Sequence, residues 1–156
     1  MKLPNKIRSI RIYLLGALIC LAVYINGQTH CDSLNNIVKN YLNTPEDKNM
    51  NKVFISDGQI YQAFINEEEF AEWETTLYGG SKYRIAASAG TDDNYLIIEI
   101  LDENRNVLFS NSNHNNSTHW DFIVENTIDC KIVTKLDLNK KLSGCTLMMI
   151  GFEKSN

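Results

Sequence analysis

The chain has 156 residues, of which 44% are hydrophobic and 22% charged, with only 2 Pro and 8 Gly. This composition excludes a disordered, collagen-like or multi-pass membrane protein. Four of the 15 basic residues and none of the 19 acidic residues lie in positions 1–27, so residues 28–156 carry 11 basic residues and a formal charge of −8. A body this acidic has no basic stripe, which argues against nucleic acid as a partner.

The N-terminal segment has the pattern of a secretory signal peptide. Four basic residues are followed by an uncharged apolar run of 14 residues, 12–25, which is shorter than the roughly 20 residues of a membrane-spanning helix. Cleavage is expected after Gly27, and an uncleaved signal anchor is the alternative. Lipidation at Cys20 is disfavoured because Ile19, rather than a small residue, precedes it. Each of these alternatives exports the rest of the chain to the periplasm or the cell exterior.

Three segments make up the predicted organisation of the chain. Residues 1–27 form the signal peptide or anchor, residues 28–51 an N-terminal helix and linker, and residues 52–156 a β-sandwich domain. We expect membrane contact only through the first segment, and only if it is not removed.

Export would place three cysteines in an oxidising compartment, where disulfides form. Cys130 and Cys145 lie on successive predicted strands, so their spacing predicts a disulfide that closes a ring of about 15 residues and stabilises by about 3 kcal/mol. Cys31 is then expected to be unpaired, either as a small hydrophobe packed under a helix or as a reactive or intermolecular thiol. A bridge from Cys31 to one of the other two cysteines is an open alternative.

An amphipathic helix is predicted shortly after the leader. Five apolar residues recur at the spacing of one helical face: Leu34, Ile37, Val38, Tyr41 and Leu42. Asp32 or Ser33 is expected to cap its start, and the run 43–45 (Asn-Thr-Pro) is expected to end it. Because so short a helix is marginal alone, its apolar face must dock on a larger element.

The rest of the chain alternates between strand patterns and turn signals. Asp57-Gly58, between strands 53–56 and 59–65, is the strongest hairpin signal and is expected to form a type I′ turn. Strand 70–78 alternates between an apolar and a polar face. Further strands are predicted at 83–87, 95–101, 107–110, 119–125, 128–136 and 145–152. The regular short spacing predicts a mainly β protein, an antiparallel, jelly-roll-like β-sandwich of about eight or nine strands with one N-terminal α-helix.

Four segments carry a resemblance to known proteins. They are 77–86 (LYGGSKYRIA), 102–111 (DENRNVLFSN), 120–122 (WDF) and 144–152 (GCTLMMIGF), and they resemble a group of small exported proteins of Bacteroidetes bacteria. The chain is also similar to the pre-peptidase C-terminal domain, a jelly-roll-like β-sandwich appended to secreted proteases. That resemblance implies a sandwich fold and an accessory or binding role, and it transfers no catalytic residue.

Acidic residues in two turns are weak candidates for a Ca²⁺ site. Asp92 and Asp93 precede one predicted strand, and Asp102 and Glu103 follow it. Calcium requires six to eight converging oxygens, whereas Asp in turns ordinarily bonds the local backbone. Ordinary turn chemistry is therefore favoured, and no cofactor is expected beyond this possible cation.

His114, His119 and Asp121 form the main His/Asp grouping of the chain. Such a set could supply three zinc ligands, or a base and the group that orients it, and it defines the alternative of a small metal-dependent hydrolase. His119 and Asp121 share one strand parity and so point to the same face of the strand. We expect this face to lie towards water, and Trp120 to lie on the core side. The usual hydrolase, metalloprotease and redox motifs are missing from the sequence.

Aromatic side chains are the remaining binding candidates. Trp73 and Trp120 fall on the apolar parity of their strands and are expected to be buried. Tyr78 and Tyr95, at strand ends beside turns, are the better surface candidates.

The sequence thus predicts an exported, non-enzymatic β-sandwich that binds a protein or a glycan. One alternative is the hydrolase built on the His/Asp grouping. The other is a structural or assembly protein whose chains are linked through Cys31.

Overall fold

The computed structural model describes residues 31–45, 53–90 and 94–154. In this part of the chain, residues 31–42 form helix α1 and nine strands form two antiparallel sheets, which confirms the predicted β-sandwich. The strands are β1 Phe54–Ser56, β2 Tyr61–Ile65, β3 Phe70–Leu77, β4 Ser81–Ser88, β5 Leu96–Leu101, β6 Val107–Ser110, β7 His119–Val124, β8 Ile128–Leu136 and β9 Gly144–Glu153. Within the described residues, no helix has the length and apolarity needed to cross a bilayer. The predicted leader and its cleavage site lie outside them.

The strand order produces a jelly roll. Sheet A has the order β1-β9-β4-β7, with β2 also paired to β9, and sheet B has the order β3-β8-β5-β6. From β2 onward, each connection passes to the other sheet except the β5–β6 hairpin. Two sheets wrapped in this way bury their facing sides against each other.

The central strands of sheet A are buried on both faces. Met148 and Ile150 of β9 pack into the core between the sheets, whereas Leu147 and Met149 pack against α1 on the outer face. A strand that is buried on both faces has a nearly continuous apolar sequence. This explains why the sequence of β9 does not alternate.

Helix α1 docks on the outer face of sheet A through the apolar face predicted from the sequence. Leu34, Val38 and Leu42 are buried against this sheet. Gly151 permits the close approach, because a Cβ at that position would lie 2.8 Å from Cδ1 of Leu42.

The helix ends as predicted but does not begin as predicted. Asn43 donates from its backbone and its side chain to the carbonyl of Lys39, which closes the last turn. The predicted cap at Asp32 or Ser33 is wrong, because Cys31, before them, is already helical.

The disulfide joins Cys31 to Cys145, with Cα atoms 5.5 Å apart, and Cys130 is a buried free thiol. The predicted Cys130–Cys145 bridge is therefore wrong, and so is an unpaired Cys31. The reason is that β8 and β9 lie in different sheets: Cys130 faces the core between them, whereas Cys145 faces α1. Cys31 is bonded to Cys145 within the same chain. It therefore has no free thiol with which to link two chains, as the assembly alternative requires.

Asp57 and Gly58 do not form a hairpin, because β1 and β2 both pair with β9. Ser56 lies opposite Gly151 and Tyr61 opposite Met148, so residues 57–60 bulge against only two residues of β9. The Asp57 carboxylate accepts hydrogen bonds from the Gln59 amide and the Tyr61 hydroxyl, both at 2.9 Å. Asp57 and Gly58 thus do form a turn, but the turn separates two strands that pair with the same neighbour, β9, and not with each other.

Candidate functional site

The structure does not bring His114, His119 and Asp121 together. The His114 ring packs against Trp120 at a centroid distance of 4.1 Å and an angle of 33°, and Trp120 lies across from Ile85 on the inner side of sheet A. His119 and Asp121 flank Trp120 on β7 and therefore point to the opposite face. Among the described residues, no group of three or more His, Cys, Asp or Glu side chains is arranged to hold a metal ion. The three residues named for the hydrolase alternative therefore do not form a common site.

Asp121 instead takes part in fixing α1 to the sheet. Its carboxylate accepts from Nε of Arg84 at 2.6 Å and from Nη2 at 2.9 Å, and it lies 3.3 Å from Nζ of Lys82. Nη1 of Arg84 donates to the carbonyls of Leu42 and Thr44 at the end of the helix. The expectation that Asp121 faces water is wrong, because α1 covers this side of the sheet.

The acidic turn after β5 shows local turn chemistry. Asp102 accepts from the backbone amide of Asn106 at 2.7 Å and from its side chain at 2.8 Å. The Asn106 side-chain bond, followed by the backbone bond, lowers the pKa of Asp102 below its ordinary value. Asp92 and Asp93 lie outside the described residues, so the predicted Ca²⁺ ligands are seen only at Asp102 and Glu103.

An open groove of about 350 Å³ lies at one end of sheet B. It is lined by Glu74, Thr75, Thr76, Glu103, Asp129, Cys130 and Lys131. Lys131 bonds Glu74 at 2.9 Å, and the Thr76 hydroxyl donates to Asp129. Burial, and then the charge of Asp129, raise the pKa of Cys130 to about 11. A thiol that stays protonated at neutral pH is a poor nucleophile, so the groove lacks a reactive group of this kind.

Cys130 should therefore resist alkylation in the folded protein. At pH 8 we expect iodoacetamide to modify it at least about 100-fold more slowly in the native protein than in urea, because both ionisation and access are suppressed. In a chain that begins at Gln28 and so lacks Cys20, intact mass measured over time without reductant follows this one thiol, since Cys31 and Cys145 stay bridged. Similar rates in the two states would contradict the burial of Cys130.

The two predicted surface tyrosines have different environments. Tyr78 is exposed, and its backbone amide donates to the hydroxyl of Tyr83 at 3.0 Å. Tyr95 is half-buried, with Nζ of Lys141 lying 5.7 Å from its ring centroid. Of the two, Tyr78 is thus the one available to a ligand.

A concave apolar surface lies where the edges of the two sheets meet. This recess, here called the edge recess, has a volume of about 380 Å³ and is lined by Ala63, Phe64, Ile65, Glu68, Glu69, Phe70 and Ala71. Ala63 and Ala71 belong to the inward parity of β2 and β3, and their small side chains leave the space open. Phe64 and Phe70 stand at the mouth, 62% and 56% exposed. Exposed apolar side chains around a concavity mark interaction sites.

The rim of the edge recess is acidic. Asn66 and Glu69 close the turn between β2 and β3, with the Asn66 amide donating to the Glu69 carboxylate at 2.9 Å. Residues 66–74 include five Glu and no Lys or Arg. The side-chain bonds from Arg105 and then Lys131 lower the pKa of Glu72 below its ordinary value. The recess therefore combines an apolar floor with the carboxylates of Glu68 and Glu69 at its rim.

Phe64 and Phe70 are not among the site residues predicted from the sequence, although the sequence contains a signal for both. Phe64 shares its strand parity with Gln62, and Phe70 shares its parity with Glu72 and Glu74. A phenylalanine on the polar parity of a strand is exposed once the fold forms.

Comparison with known proteins gives no family assignment. No protein-family model matches the chain, and a search of curated proteins finds no match. The two resemblances seen in the sequence therefore remain predictions.

Proposed function

We propose that this protein is an exported, non-enzymatic β-sandwich that binds a protein partner through the edge recess. The observation that carries the proposal is the pair of exposed rings, Phe64 and Phe70, at the mouth of an apolar concavity. Burying a phenylalanine side chain contributes about 1.5–3 kcal/mol, so two of them can anchor a complex. Export is supported by the leader pattern and by the Cys31–Cys145 disulfide, which forms in oxidising compartments.

A protein partner fits this surface better than a glycan. The floor of the recess presents the methyl groups of Ala63, Ile65 and Ala71, which offer no hydrogen bonds to sugar hydroxyls. Burying those hydroxyls without partners would cost binding free energy. An aliphatic side chain of a partner protein makes no hydrogen bonds to water, so it loses none when it enters the recess.

The proposal can be tested by placing a photo-crosslinking amino acid at Phe64 in the exported protein within its native cell. We expect a discrete cross-linked product of higher mass from this position. The matched control is the same amino acid at Ile123, which is 79% exposed on β7, at the opposite edge of sheet A. The control position should give no such product.

A second variant ties the product to the recess. Phe70→Ser should remove the cross-link from position 64, because it deletes half of the apolar mouth while leaving an exposed position polar. Ile123→Ser should leave the cross-link intact. A product of equal yield at positions 64 and 123, or one that survives Phe70→Ser, would contradict the proposal.

A further inference from the structure

We infer that the partner binds as an added β-strand along the free edge of β3, through an extended segment in which basic and aliphatic residues alternate. This inference rests on the proposed function, because it specifies how a partner would use the edge recess. It follows from the length of the β3 edge, from the parity of its side chains and from its charge.

Strand β3 is the longest edge strand of the described sandwich. It has 8 residues and pairs with β8 on one side only, whereas β1, β2, β6 and β7 at the other edges have 3, 5, 4 and 6. Its register with β8 is unbroken, and it contains no proline. Natural edge strands are usually protected by shortness, bulges, proline or inward-pointing charges. An unprotected edge offers its backbone donors and acceptors to another strand.

Side-chain parity determines what an added strand would meet. Glu72 and Glu74 point to the outer face of sheet B, whereas Ala71 and Trp73 point inward. In a strand laid beside β3, alternate residues would therefore face the two carboxylates and the edge recess. Trp73 packs edge-on against Tyr61 at a centroid distance of 5.9 Å, which closes the core behind the recess. Aliphatic side chains of the partner would fill the space in front of that pair.

Charge favours a basic partner over a second copy of this chain. Antiparallel pairing of two β3 strands would place the Glu72 and Glu74 faces side by side, and like charges directly opposite each other destabilise a sheet. Glu67 and Glu68 are exposed and form no ion pair with the described residues. Glu72 and Glu74 share Lys131, and Glu72 also pairs with Arg105, so Glu67, Glu68 and Glu74 hold most of the uncompensated charge. Lysine or arginine on the outward positions of the partner would meet this carboxylate row.

The test uses defined synthetic peptides and the purified protein. An acetylated, amidated (Lys-Val)₄ peptide should bind at least tenfold more tightly than its (Glu-Val)₄ counterpart in a calorimetric titration. N-methylation of alternate amides removes the donors along one edge of the peptide only. One of the two alternately methylated peptides should lose binding at least tenfold, and the other should bind within about twofold of the parent.

Variants of the protein locate the binding and separate the two proposals. Glu68→Lys combined with Glu74→Lys, both at exposed positions, should reverse the preference between the two peptides, while Ile123→Ser should change nothing. Equal binding of (Lys-Val)₄ and (Glu-Val)₄, or equal effects of the two methylation patterns, overturns strand addition by a basic segment. If that happens while the cross-link from Phe64 persists, the binding function stands and only this mode fails. If the cross-link also fails, the binding function fails with it.

Discussion

Replacing Cys31 and Cys145 together by alanine should lower the free energy of unfolding by about 4–5 kcal/mol. The bridge joins residues separated by 114 positions, and the chain-entropy contribution of so long a ring is about 4.7 kcal/mol. The loss has a structural side as well, because the bridge holds the start of the described part of α1 on sheet A. For a domain whose total stability is about 5–15 kcal/mol, this is a large fraction. Urea unfolding followed by tryptophan fluorescence measures it.

Two controls show whether the loss of stability comes from the Cys31–Cys145 bridge itself. Reducing the wild-type protein with dithiothreitol should reproduce the loss, whereas the double alanine variant should not respond to dithiothreitol. Cys130→Ala removes the buried free thiol and keeps the bridge, so it should remain sensitive to the reductant. A wild-type midpoint that dithiothreitol does not move would contradict a stabilising role for Cys31–Cys145.

Arg84→Ala should lower the free energy of unfolding by about 3–5 kcal/mol, as expected when one partner of a buried ion pair is removed. Arg84 is 1% exposed, and its guanidinium lies 4.3 Å from the ring centroid of Phe54. The variant would leave Asp121 without its two-bonded partner and the Leu42 carbonyl without its donor. Both losses fall where α1 ends, so the helix should loosen first.

The chain offers a matched control for the Arg84 variant. Arg105, which is 53% exposed, pairs with Glu72 at 2.9 Å on the surface. Arg105→Ala should cost no more than about 1 kcal/mol, since exposed ion pairs contribute little. Arg84→Lys tests the geometry, because lysine keeps the charge but cannot donate to Asp121 in a two-bonded fork. If both alanine variants lose the same stability, the role given to Arg84 is wrong.

Local periodicity predicted most strands and their faces. The limits of β8 agree with the prediction at both ends, and those of β3 differ by one residue. The apolar parity of β3 lies inside, with Leu77 buried and Trp73 partly buried against the core. These features follow from neighbouring residues alone, because alternation assigns each side chain to one face before any pairing is known.

The pairing of strands and cysteines that lie far apart in the chain could not be predicted from local sequence patterns. Asp57-Gly58 has the composition of a hairpin turn, yet β1 and β2 both find β9 as their partner. Cys130 is close to Cys145 in sequence, yet the jelly roll places their strands in different sheets and brings Cys31 to Cys145 instead. Proximity along the chain favoured the wrong partner in both cases.

The candidate site likewise has features that can be read from the sequence and features that depend on the tertiary structure. The sequence contains the acidic run from Glu67 to Glu69 and the two phenylalanines on polar parities. The edge recess itself exists only because β2 and β3 lie at adjoining edges of opposite sheets, with Ala63 and Ala71 between them. The His/Asp grouping shows the converse. His114 packs against Trp120 on the inner side of β7, whereas His119 and Asp121 point to the outer side.

By itself the sequence determined an acidic body that follows a basic and apolar N-terminal segment, a helix with one apolar face, and strands with assigned faces. These properties depend on composition and on spacings of two to four residues. The tertiary structure alone decided which strands lie at the edges, which cysteines meet and where Phe64 and Phe70 emerge. Those outcomes depend on contacts between residues far apart in the chain, which are selected by the packing of the whole core.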